Sequence, residues 1–306
     1  MLSFLSIRVF RGMLTMFFVL VVAFLTVRLS GEPFQRMFPQ GISQEAADAL
    51  RREWLLDLPL LQQFMIYLGN VVRGDFGVSL YTGERVIEMY ASRLPTTLVI
   101  GGLALLLAIV IGIPLGALSA LRRGTLVERS AMSIAFLGYA MPHFVIGIGL
   151  VLVFGYHLRM LPTTGLATPQ NYILPVATLA TPMIAGIARF LRAAMLDAVT
   201  QAHVMAAASK GLGDMQIARR HILRNAMLPL LTLLGLEVAG LVNGSIFVEA
   251  VFSLPGVGRI LVGAVEERDF AVLQFGVIAY AGIVVAISLA IDLCYTLADP
   301  RVRVDA

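Results

Sequence analysis

The sequence predicts an all-α membrane protein with six transmembrane helices and both termini on the cytoplasmic side. Three observations carry that expectation: an apolar composition, six charge-poor runs of spanning length, and arginines gathered in alternate short loops. Of 306 residues, 58% are hydrophobic and 14% are charged, against roughly 45–50% and about 25% in ordinary globular proteins. A mean hydropathy of +0.87 over the whole length means that apolar surface is not confined to one core. The net charge of +4 is too small to imply nucleic acid. The single cysteine, Cys294, excludes an internal disulfide and any CxxC site; within its apolar run it reads as a small buried hydrophobe.

A spanning helix needs ~20 mostly apolar residues. The first such run is Gly12 to Val27, flanked by Arg11 and Arg28, which can snorkel to the interfaces. No small-x-small cleavage pattern follows it, so it reads as a retained span. The polar stretch Gly31 to Arg93 comes next and holds the only tryptophan, Trp54. In it Ser43 can cap a helix running to Leu56, and Pro59 can open another reaching Val72. Gly74 to Gly77 and Thr82-Gly83 punctuate loops.

Five apolar regions follow. Leu94 to Leu121 has no charge, and Ser130 to Leu158 carries only His143 and His157. Tyr172 to Leu196 is the fourth span, Asn225 to Phe252 the fifth with Glu237 and Glu249, and Phe270 to Ile291 the sixth, before Asp292. Arg8, Arg11, Arg122, Arg123, Arg129, Arg189, Arg192, Lys210, Arg219, Arg220, Arg224, Arg301 and Arg303 fall on one side. The opposite short loops offer Arg159, Arg259 and Arg268, so the richer side is cytoplasmic. Glycine and proline inside the spans, as in Gly112-Ile-Pro114-Leu-Gly116, Pro142 and Pro182, read as close helix packing.

The loop between the fourth and fifth spans reads His203-Val-Met-Ala-Ala-Ala-Ser-Lys-Gly211-Leu-Gly-Asp214 and runs on to Asn225 and Pro229. It predicts two short helices joined by a glycine turn. The alanines favour a slim rod, Gly211 supplies a left-handed stop, and Asp214 caps the second helix. Such a rod suits insertion in a partner's groove; a plain basic loop fixing topology is the other reading.

This segment resembles the cytoplasmic coupling motif of ABC importer permeases of the dipeptide/oligopeptide/nickel family. Val204, Ala207, Lys210, Gly211 and Leu212 match its first part, and His221, Leu223, Arg224, Asn225, Ala226 and Pro229 its second. Further matches run along nearly the whole chain: Arg28 to Pro33, Arg73 to Ser79, Arg93 to Leu98, Val248 to Arg259, and Asp299 to Arg303. Together, in order, they make the resemblance specific. His203 stands where the family has Tyr, and Met205 and Ala208 where it has Arg, so the first coupling helix lacks two cations.

The resemblance implies a type I ABC importer permease fold. Residues 1–30 would form a tail and first span, 31–93 a periplasmic segment with short helices, and 94–306 a five-helix permease core. That core would carry a cytoplasmic coupling loop at 200–226 and a periplasmic loop at 253–270. It also implies a homologous second permease, in a heterodimer, two cytoplasmic ATPase subunits and an external solute-binding protein, all around a lipid bilayer. His203, Val204, Ala207, Ala208, Lys210, Gly211, Leu212, Asp214, His221, Arg224, Asn225 and Pro229 would couple to the ATPases. No cofactor would be bound by this chain; ATP and Mg would be used by the partner subunits. The family moves peptides, glutathione, nickel and other small solutes.

Glu237 lies about eleven residues into its span, some 16 Å along a helix at about 1.5 Å per residue, near mid-bilayer. Gly240 and Gly244 follow on roughly its face. These three can line the pore, with Glu237 favouring a cationic group such as a peptide ammonium; internal pairing is the alternative. The family carries Gln where this chain has Glu237. Glu249 and Asp292 read as ion-paired, and Glu249, Pro255, Gly256 and Arg259 as a periplasmic gate or binding-protein contact. Glu266, Glu267 and Asp269 read as solvated charges, and His143 as a packing residue.

Enzyme readings fail on chemistry. Gly211-Leu-Gly-Asp214 matches the GxGD string of intramembrane aspartyl proteases, but no second aspartate shares a site with Asp214. There is no GxxxxGK[ST] loop for ATP hydrolysis, nor HExxH or GxSxG. An ion-coupled secondary transporter or channel is the rival that composition allows; it has no need of the coupling loop.

Overall fold

The computed structural model describes residues 2–29, 38 and 40–298, so the matching motifs at 30–33 and 299–303 lie outside it. Every regular element among the described residues is helical. The chain divides into two compact units, Met1–Pro95 with Arg259–Leu289, and Thr96–Gly258 with Ala290–Ala306.

The first unit starts with α1 (Leu2–Leu29), α2 (Gln44–Glu53) and α3 (Leu60–Val72). Ser43 caps α2 through its side chain and Pro59 opens α3, as expected. α2 stops at Glu53, short of Leu56, because Leu55 turns left-handed at φ 57°. α3 lies on α1: the Phe24 ring is 5.3 Å from Phe64 and 5.6 Å from Tyr67. Gly74, Gly77 and Gly83 all take positive φ, which makes the expected loop punctuation physical. α4 (Val86–Leu121), α11 (Val257–Glu267) and α12 (Phe270–Ala298) pass from one unit into the other. Asp269, expected in solvent, is instead 2% exposed. Its carboxylate accepts the Ser79 hydroxyl at 2.5 Å and the Leu80 N–H at 3.1 Å. Tyr90 adds a hydroxyl bond to the Val272 carbonyl at 2.9 Å, so the turn after α3 is clasped to the start of α12.

The second unit is built around α7 (Ile173–Val199). Leu174, Leu179, Ala180, Ile187, Ala188 and Leu191 are each at most 2% exposed. α4 reaches it through Gly112 and Gly116: a Cβ on Gly116 would fall 2.6 Å from the Ala188 carbonyl oxygen, so only glycine permits this backbone approach. α5 (Leu126–Ala140) and α6 (His143–Leu150) replace the single span expected between Ser130 and Leu158. They meet at 105°, because Met141 is driven to an extended conformation ahead of Pro142. α6 continues as a wider π winding over Val151–His157. The unit also holds α8 (Ala202–Ser209), α9 (Asp214–Ile217) and α10 (Arg224–Val251).

Four helices among the described residues are long and apolar enough to cross a membrane, and six spans result when each bent pair counts as one. α4 begins at Val86 rather than Leu94, carrying Arg93 and Pro95 inside the helix. α11 forms within the stretch expected as a periplasmic loop at 253–270.

Candidate translocation cleft and coupling loop

The coupling segment is folded back onto its own scaffold. α8 buries Val204 and Ala207 in one cluster with Leu191, Met195 and Ala198 of α7 and with Ile217, Ile222, Ala226 and Leu230. Its end is a left-handed cap: Gly211 takes φ 80°, its N–H donates to the Ala208 carbonyl, and the Leu212 N–H donates to that of Ala207. Leu212 closes the cap by packing on the same cluster. Lys210, His203, Ala208 and Met205 are left exposed on the outer face.

Asp214 does not cap the second helix as expected. Gly213 occupies the cap position and no side chain bonds there, since Asp214 is already the first helical residue. Nor is that helix a separate short rod. α9 continues through a π winding at Ala218–Leu223 directly into α10, with a 46° bend at Pro229 between Asp214–Met227 and Pro229–Leu241. A polar bridge ties the two arms: the Asn225 amide donates to His203 Nε2 at 2.6 Å and to the His221 carbonyl at 2.8 Å. His203, the departure from the family's Tyr, is therefore an acceptor for Asn225. Arg224 and Pro229 are exposed.

Three clefts follow one stripe of α7. The largest, about 1220 Å³, is lined by α5, α7 and α10, with Tyr139, Gly186, Arg189 and Glu237 among its walls. A second, about 460 Å³, shares Tyr139 and Glu237 with it and continues past Pro182, His143 and Gly240. A third, about 480 Å³, shares Phe190 and Ala193 with the largest and ends at Asn225 and Pro229. From Leu179 to Ala198 the stripe advances about 28 Å along the helix, close to the ~30 Å thickness of bilayer hydrocarbon. Together the three clefts cover a comparable length of α7, and the third ends beside the coupling bridge at Asn225.

Of the three expected pore residues, Glu237 and Gly240 line these clefts. Gly244 does not: it is buried, with Leu179 and His143 so close that a Cβ would sit 2.8 Å from Leu179 Cδ1. His143 accordingly packs beside Gly244, as read. One feature escaped sequence reading. Glu128, 6% exposed, pairs with Arg192 across the largest cleft, Nε to Oε1 at 2.6 Å, and accepts the Gly124 N–H through its other oxygen. The Thr125 hydroxyl accepts the Glu128 N–H in return, an N-cap whose Thr-x-x-Glu spacing is legible in the sequence.

The expected gate also separates into two kinds of residue. Glu249 is 0% exposed, which removes it as a surface contact. Its Oε1 accepts the Thr97 hydroxyl at 2.6 Å, and the Thr97 oxygen accepts the Val257 N–H at 3.0 Å. Gly256 and Gly258 lie directly against the carboxylate, where any side chain would collide. The motif from Val248 to Gly258 thus folds the end of α10, a short turn and the start of α11 around one buried acid. Pro255 and Arg259 remain exposed. No group of three or more metal-ligating side chains occurs among the described residues.

Residues 112–304 match the family described as binding-protein-dependent transport system inner membrane component. The chain is 34% identical over 293 residues to the dipeptide transport system permease protein DppB of Lactococcus lactis, covering 95% of this chain and 96% of that protein. It is 36% identical over 304 residues to the glutathione transport system permease protein GsiC of Escherichia coli, covering 99% of each. Among solved structures it resembles the inward-facing MetNI methionine ABC transporter, with a TM-score of 0.57 at 19% identity, over 70% of this chain and 97% of that one. An amino acid ABC transporter follows with a TM-score of 0.55 at 22% identity, over 68% of this chain and 92% of that one. With this fold, the chain belongs to the family of binding-protein-dependent ABC importer permeases, multi-pass inner-membrane subunits that work with ATPase and solute-binding partners.

Proposed function

We propose that this chain forms half of the pore of an ABC importer for di- or oligopeptides or related small solutes, and that residues 200–226 couple it to the ATPase subunits. The observation that carries the reading is the helix running from Asp214 to Val251. It starts in the coupling loop, bends by 46° at Pro229 and passes the cleft at Glu237, so one helical segment joins the loop to the pore wall. Transport is then a two-state equilibrium biased by ATPase closure, and this chain supplies a lever rather than chemistry. The relatives named for dipeptide and glutathione transport support the solute class. The second half of the pore is a homologous permease in a heterodimer. ATP and Mg are used by the partner subunits, and this chain binds no cofactor. The termini and the coupling loop face the cytoplasm, with 31–93 and 253–270 outside.

The test is a tagged complex purified gently from its native membrane and returned to liposomes with its binding protein. A second permease and ATPase subunits co-purify, and peptide uptake follows ATP. Replacing Lys210 and Gly211 leaves hydrolysis running without uptake. A chain that purifies alone and transports without ATP is an ion-coupled carrier, and the reading fails.

A further inference from the structure

The walls of the largest cleft bring Glu237 and Arg189 close to one aromatic ring, and neither has an ion-pair partner among the described residues. Glu237 makes no hydrogen bond or ion pair among the described residues, although an ionisable group at that depth of a span is costly without a partner. Its Oε1 sits 3.0 Å from the place a Cβ on Gly186 would occupy, so the carboxylate rests against the bare backbone of α7. The Tyr139 ring edge lies 3.7 Å from the same point. The Arg189 guanidinium, one turn further along α7, stacks over that ring at 4.9 Å from its centroid. Glu237 and Arg189 thus flank one aromatic side chain without bonding each other. Arg192, a few residues on, is already neutralised by Glu128; among the described residues the Arg189 guanidinium is given the Tyr139 ring and no carboxylate.

We propose that Glu237 and Arg189 form a charge-reading pair for a zwitterionic solute, Glu237 taking an ammonium and Arg189 a carboxylate, with Tyr139 between them. The two ends of an extended dipeptide are separated by about 7 Å at ~3.5 Å per residue, a span that suits two heads on either side of one aromatic ring. Tyr139 also offers its face to an ammonium passing between them. The pair deepens the peptide reading above and rests on it. It assigns a specificity role to Arg189, which the sequence offered only as a topology charge.

The test uses the nucleotide-free permease–ATPase complex in nanodiscs, without binding protein, and a radiolabelled dipeptide in free, N-acetylated and C-amidated forms. Capping either end weakens binding to the wild type about tenfold, the size of one charge-assisted hydrogen bond. Glu237→Gln abolishes the difference between free and N-acetylated peptide, and Glu237→Asp retains it. Arg189→Gln abolishes the difference between free and amidated peptide. Equal binding of free and capped peptides by the wild type, or no saturable binding, overturns the proposal. So do variants that weaken every peptide alike, and so does loss of the second permease from Glu237→Gln complexes with peptide preference intact, which would make Glu237 an intersubunit contact. Uptake by the same complexes returned to liposomes with the binding protein separates the failures. ATP-driven uptake without charge preference sinks the pair alone, whereas uptake independent of ATP sinks the importer reading.

Discussion

Replacing Gly256 by alanine places a methyl group against the carboxyl carbon and both oxygens of Glu249. The acid cannot retreat: it is 0% exposed and held by the Thr97 hydroxyl at 2.6 Å. The turn between α10 and α11 is crowded and the Thr97 bond is lost as well. Overpacking costs about 1–3 kcal/mol, and losing a hydrogen bond to a charged group adds about 1.5–3 kcal/mol. At roughly 2–4 °C per kcal/mol, the melting midpoint of the purified complex falls by roughly 10 °C. Gly263→Ala is the control, because nothing lies within 4 Å of its added Cβ; in a helix the change gains up to about 1 kcal/mol. Thr97→Val reproduces part of the loss and Thr97→Ser does not, since serine keeps both the donor to Glu249 and the acceptor for Val257. A thermal melt in which Gly256→Ala coincides with wild type would refute the cradle.

Gly211→Val forces a β-branched residue to φ 80° at a cost of at least about 1–2 kcal/mol; transport per ATP hydrolysed falls, and Gly211→Asn falls less. Asp269→Ala strands the Ser79 hydroxyl and the Leu80 N–H, at about 1–3 kcal/mol each, so its midpoint drops while that of the exposed Glu266→Ala holds. Tyr67 lies outside the spans with a buried hydroxyl that finds no partner among the described residues, and burial pushes its pKa up to about 12. Tyr67→Phe is therefore neutral or stabilising near pH 7. Because the folded value exceeds the ordinary value of about 10, wild-type stability relative to Tyr67→Phe is full below pH ~10 and falls as pH rises towards ~12; a constant difference across that window would contradict this burial.

Span number and the position of the coupling loop were legible because both are written in one dimension, as runs of apolar residues and as a local string of alanine, glycine and arginine. Local stops were legible for the same reason: Ser43, Pro59 and Gly211 act on their own neighbours, and each does so where expected. Pro142 was seen too, but its consequence was not, since a proline can kink a span or fold it through 105°, and surrounding packing decides which. The fate of the acids was hidden altogether. Glu237, Glu249 and Asp269 look alike as letters, yet one faces a cleft, one is wrapped by glycines and one is clasped to a turn about 190 positions away. By itself the sequence determined what must leave water and where helices begin and end, because hydropathy and backbone propensity act over a few neighbouring residues. Which charges stay open to a solute and which are sealed was decided by the tertiary structure, because desolvating a carboxylate depends on partners that the chain brings together only when it packs.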